Sequence, residues 1–331
     1  MSGIVQSNAF DRAQVRDRLA ELTGQGVLIG TSSWKYQGWR GVFYEDDRYI
    51  WRGKFSASRF ERQCLSDYAE VFKTVCVDAA YYKFPDERHL QSLVSQVPAD
   101  FQFTFKVTDE ITIKRFPNVP RSGARAGQAN PDFLNADLFI SRFLAPSEPF
   151  RKNIGALIFE FSRFYPEDFA RGRDFVEVLD AFLAKLPRGW DYGVEIRNRH
   201  FLQPEYFATL ARHGVTHVFN SWSDMPPIEE QLALPDNFPN PNFAAARFLL
   251  KPGRSFQQAV DLFRPYDNIK EPLDDTRAAA LRLIRHVLRS KAVRKLYLYI
   301  NNRLEGNAPL TILALLKLLA EEGKIIAPTA P

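Results

Sequence analysis

Four side chains able to carry acid–base chemistry stand at or near the ends of apolar runs: Asp78 in VCVDAA, Lys106 in FQFTFKVT, Glu160 in LIFEF and Glu195 in YGVEIR. Arg197 follows two residues after Glu195. Paired carboxylates can divide into a proton donor and a nucleophile when their environments separate their pKa values, which is the chemistry of retaining glycoside hydrolysis. A lysine beside them can neutralise an acid or contact a substrate. Alternation decides where these groups point. In 101–108, Phe101, Phe103, Phe105 and Val107 share one face, while Gln102, Thr104, Lys106 and Thr108 share the other. The apolar face suits covering helices, so Lys106 looks inward. The same parity places Asp78 with Cys76, Glu160 with Ala156 and Ile158, and Glu195 with Arg197 opposite Val194 and Ile196. Glu160 and Glu195 end neighbouring strands, about 4.8 Å apart, so their carboxyl groups are within reach of the roughly 5–5.5 Å used in retaining hydrolysis. The competing reading is a charge network, with Lys106 neutralising Asp78 and Arg197 pairing locally with Glu195.

The elements that position them repeat. Eight β-rich runs, at 27–31, 75–80, 101–108, 154–161, 192–197, 216–220, 243–250 and 295–300, mostly alternate with helical patterns. That alternation is the signature of an α/β fold, here a single parallel (β/α)8 TIM-type barrel. A helix over 11–22 lies in an N-terminal extension of residues 1–26. The barrel takes 27–322, with long loops after strands 1, 3 and 6, and 323–331 form a tail. Barrel enzymes place chemistry at the C-terminal ends of the strands, where all four groups fall.

The loops there supply binding candidates. Ser32, Trp34, Tyr36 and Trp39 follow strand one in an aromatic-rich stretch, which reads either as a core covering the barrel or as a stacking wall for a sugar or base. Tyr82 lies on the next lip, and Asn301 and Asn302 end strand eight. The segment 111–130 carries Lys114, Arg115, Arg121 and Arg125 and no acid. Gly253, Arg254 and Ser255 after strand seven, and Gly306 and Asn307 after strand eight, form two small-residue turns before helices. Such turns hold phosphate in many barrels, and helix capping explains them equally well.

Composition narrows the classes. With 44 Lys and Arg against 39 Asp and Glu, the net charge is +5, which permits anionic ligands but gives no dense basic face. Two cysteines, Cys64 and Cys76, make no disulfide framework and fit a cytoplasmic setting. The five histidines show no metal-ligand spacing, and Ser32–Ser33 lacks a nucleophile elbow. No metal, cofactor or membrane partner is expected.

The motifs IGTSSWKYQGWRGVFY, VDAAYYKFP, FKVTDEIT, VEIRNRHFL and YLYINNRLEGNA resemble the YecE-like family, domain of unknown function 72, across most of the barrel. The resemblance implies the barrel fold and brings no assigned activity. It maps the family's first motif onto Gly30, Ser32 and Trp34, its strand-five acid and arginine onto Glu195 and Arg197, and its paired asparagines onto Asn301 and Asn302. Two departures stand out. Glu160, Phe161, Ser162 and Arg163 replace a glutamine and two prolines. Leu250, Lys251, Pro252 and Gly253 replace an arginine-leucine-histidine-glycine run, so its arginine and histidine are missing unless Arg247 substitutes after a register shift.

The resulting expectation is a metal-independent enzyme, a glycosidase-like hydrolase or a lyase, acting on a sugar-like or phosphorylated small molecule. The alternatives are a non-catalytic nucleic-acid or nucleotide binder using the strand-one rings and the basic loop, or a former enzyme serving as an interaction scaffold.

Overall fold

The computed structural model describes residues 10–289 and 293–326. Eight parallel strands close into a barrel: β1 (Val27–Thr31), β2 (Thr74–Val77), β3 (Gln102–Lys106), β4 (Ile154–Glu160), β5 (Tyr192–Glu195), β6 (Thr216–Asn220), β7 (Ala244–Phe248) and β8 (Leu296–Ile300). Each strand pairs with its sequence neighbour, and β1 closes on β8 with Val27 opposite Leu296 and Thr31 opposite Ile300. A helix over Arg12–Gly24 precedes the barrel, and the Asp11 side chain accepts from Gln14 N at its start. Among the described residues no helix is long and apolar enough to cross a membrane.

Two apolar layers follow from strand parity. Outward residues such as Phe103, Phe105 and Phe159 join the large core beneath the helices, while Leu28, Cys76, Ile158, Val218 and Tyr297 form a separate cluster inside the barrel. Large and small inner residues complement one another. A Cβ on Gly30 would lie 2.2 Å from the Thr74 carbonyl oxygen, so only glycine permits this approach of β1 to β2. The Tyr299 hydroxyl spans the interior, donating to Thr104 Oγ1 at 2.7 Å and lying 2.8 Å from Thr74 Oγ1. The barrel centre is therefore filled, and open space is left at its C-terminal end.

Several elements are shorter than the sequence suggests. Strand two stops at Val77, because Asp78–Tyr82 turns into a 3-10 helix. The helix between β4 and β5 spans Gly172–Leu183, preceded by a turn in which Tyr165 N donates to Asp168 Oδ2. Over 131–144 an α-turn at Ala136–Phe139 runs into a wider π-helical turn. The last helix, Ala308–Ile326, takes up the start of the tail expected over 323–331; residues 327–331 lie outside the described set.

Candidate functional site

The charged groups at or just beyond the ends of β2–β5 meet at the barrel mouth around Arg247 of β7. This residue is 1% exposed. Nη1 donates to Glu160 Oε2 at 2.6 Å and to Glu195 Oε2 at 2.7 Å, while Nη2 donates to Asp78 Oδ1 at 2.7 Å. Register explains the convergence: Glu160 pairs with Glu195 across β4–β5, and Arg247 lies opposite Asn220 on one side and Tyr299 on the other. Two more cations complete the network. Lys106 Nζ lies 2.9 Å from Glu160 Oε2, and Arg197 Nη2 lies 2.8 Å from the same oxygen. Arg197 Nη2 is also 2.7 Å from Glu195 Oε1, but as an ion contact only, since that oxygen accepts no hydrogen bond.

Three acids thus face three bases, which is what burial demands, because an unpaired charge here would cost several kcal/mol. Burial alone would push the Glu160 carboxyl up, but Arg197, Lys106 and Arg247 outweigh it and hold the group well below the usual carboxylate range. Burial would likewise lower the Lys106 ammonium, and the charges of Glu160 and Asp78 reverse that, leaving it raised. Lys106 is therefore a proton-bearing cation and Glu160 an ionised acceptor.

Above this floor lies a cavity of about 290 Å³. Six cationic side chains line it (Lys106, Arg121, Arg163, Arg197, Arg247 and Arg303) against the two carboxylates Asp78 and Glu160. Glu195 is fully buried beneath. Aromatic rings accompany the cations: Arg197 lies 3.7 Å from the Trp222 ring centroid and Lys106 Nζ 4.0 Å from that of Tyr81. Arg121 and Arg163 are paired outward, to Asp109 and Asp224. Arg303 has no ion-pair partner among the described residues.

Asp78, Lys106, Glu160, Arg197 and Tyr82 line the cavity as their positions in the sequence suggest. The loop after β1 lies elsewhere. Trp39 is fully buried, with Nε1 donating to Asn302 Oδ1 at 3.0 Å; Trp34 and Ser32 are also buried, and Tyr36 packs on Trp39 and Tyr266. Asn301 caps a short helix by accepting from Arg303 N, and Asn302 accepts from Ala308 N. At the two turns, Arg254 is held by Glu271 at 2.5 Å, and Ser255 forms a capping box with Gln258. Asn307 caps the next helix, accepting from Leu310 N, and a Cβ on Gly306 would lie 2.5 Å from Asn268 O. Arg125 of the basic loop pairs with Glu110. The central residue that the sequence reading left unassigned is Arg247. Its signal is the parity already applied to β3 and β5, because Ala245 belongs to the inner cluster and Arg247 follows it by two.

A closed eight-stranded α/β barrel with a polar cavity at its C-terminal mouth is the architecture of a TIM-type barrel. The chain belongs to the DUF72 family, proteins of unknown function, whose model matches residues 28–331. Among solved structures it is similar to a DUF72 family protein from Thermotoga maritima, at 20% identity and a TM-score of 0.59, covering 89% of this chain and 99% of the other. A DUF72 family protein from Enterococcus faecalis is similar at 17% identity and a TM-score of 0.58, covering 89% and 98%. At these identities the likeness speaks for the fold. No curated protein matches the sequence.

Proposed function

We propose that the chain is an enzyme whose substrate is a small molecule carrying a phosphate or comparable anion, bound at the barrel mouth. The observation that carries this reading is the cation-rich lining of the cavity, in which Arg303 has no carboxylate partner among the described residues. Asp78, Glu160 and Glu195 balance Lys106, Arg197 and Arg247, and Asp109 and Asp224 offset Arg121 and Arg163, leaving Arg303 to meet an incoming anion. Lys106 supplies a proton or a hydrogen bond to charge developing on an oxygen, and Glu160 receives a proton. An anion competing for Arg197 and Arg247 weakens their hold on Glu160 and raises its basicity, which couples binding to proton transfer.

A glycosidase built on Glu160 and Glu195 draws less support. Both carboxylates contact one guanidinium nitrogen, so their separation suits a retaining pair. However, Glu195 has no exposed surface, and Glu160 is held ionised where an acid catalyst needs its proton. The nucleic-acid reading has lost its original stacking wall, since Trp34 and Trp39 are inside the protein.

The test is a thermal-shift titration with inorganic phosphate, ribose 5-phosphate and glucose 6-phosphate beside ribose and glucose. The phosphorylated compounds are expected to raise the melting temperature and the neutral sugars to leave it unchanged, with the response lost in Arg303→Ala. No shift with any compound, or an equal shift in Arg303→Ala, would sink the reading.

A further inference from the structure

Most of the protein's rings are buried, so the large exposed ones are informative where they line a cavity. Tyr82 is 64% exposed and Phe256 is 47% exposed, and both line the cavity above the charge network. They follow β2 and β7, with β1 and β8 between them in the barrel order. Each carries a cation: Arg121 lies 4.8 Å from the Tyr82 ring centroid, and Arg303 lies 4.5 Å from that of Phe256. Those guanidinium groups therefore hold rings and line the charged cavity at once.

A phosphosugar would use the charged floor and meet these rings only through its C–H faces. A ligand with a flat π-face as well as a phosphate uses both, because rings stack on bases and arginine serves ring and phosphate alike. Resting on the anion-site reading above, we propose that the ligand is a nucleoside monophosphate, with its base on the rim formed by Tyr82 and Phe256 and its phosphate among Lys106, Arg121 and Arg303. The volume agrees. About 290 Å³ is at the small end of ligand pockets, which run from roughly 300 Å³ upward, and so suits one nucleotide rather than two.

The experiment is isothermal titration of the full chain with AMP, ribose 5-phosphate, inorganic phosphate and adenosine. AMP is expected to bind about tenfold or more tightly than ribose 5-phosphate, the size of one base–aromatic stack. In the double variant Tyr82→Ala/Phe256→Ala that advantage should vanish, AMP and ribose 5-phosphate then binding alike. Both side chains are exposed, so the variant is expected to fold, and circular dichroism checks this. Equal binding of AMP and ribose 5-phosphate, or an advantage surviving in the double variant, would overturn the nucleotide and leave the anion site standing. Failure of every phosphorylated compound would remove both. Salt-sensitive binding of a single-stranded oligonucleotide by a protein that ignores AMP would overturn the proposal in favour of a nucleic-acid groove.

Discussion

The loop after β1 and the rim of the barrel mouth are both rich in aromatic residues, yet they have opposite fates. Trp39, Phe43, Tyr44 and Tyr49 are at most 1% exposed, and their polar atoms are spent internally: Trp39 on Asn302, Tyr44 on the Trp34 carbonyl, Tyr49 on Asp67. Tyr82 and Phe256 stand in solvent beside arginines. Ring content thus says little about binding. What separates these residues is whether the polar tips and ring faces are already used; in the loop after β1 the exception is Trp51, 61% exposed and away from the cavity lining.

The largest effect that can test this contrast comes from the floor of the mouth. Arg247→Met leaves Glu160 and Glu195 short of a buried cation, and unfolding in urea should show a loss of about 3–5 kcal/mol. A loss under 1 kcal/mol would mean that water reaches these carboxylates and that the floor is not the closed network described. Next is Trp39→Phe, which removes a buried hydrogen bond and part of a ring. It should cost about 2 kcal/mol while leaving any phosphate-dependent stabilisation intact. Loss of the ligand response with little loss of stability would reverse the roles assigned to the two aromatic regions.

The smallest effect is a slope. The folded pKa of Glu160 lies below its unfolded value, so its contribution is fully present above the unfolded pKa, about 4.3, and is lost as pH falls from there through the folded pKa. Urea midpoints measured between pH 7 and pH 3 should therefore fall less steeply at the acid end in Glu160→Gln than in the wild type. Identical slopes would show that Glu160 titrates normally and is not gripped by its three cations.

Parity made much of the floor legible. A polar residue alternating with phenylalanines has one place to go in a barrel, so Lys106 and Glu195 were readable from their own strands. Arg247 obeyed the same rule but was obscured by comparing β7 with a family motif centred on 250–253, beyond the strand's end at Phe248. The loop after β1 was ambiguous for a different reason. The partner that satisfies Trp39 lies 263 residues away, and no local pattern announces it. The basic segment looked unopposed because Asp109 and Glu110, which neutralise Arg121 and Arg125, lie just ahead of it.

The contacts of Arg247 span 52, 87 and 169 residues of chain. No hairpin or single βαβ unit contains them, so Arg247 reaches its three acids only when β4, β5, β7 and the segment after β2 are together. Each charge keeps its hydration shell until distant strands are brought into register, and only then do desolvation and pairing occur together. The contact of Arg247 with Asp78 joins β7 to the segment after β2, so the floor of the mouth is complete only in the closed ring.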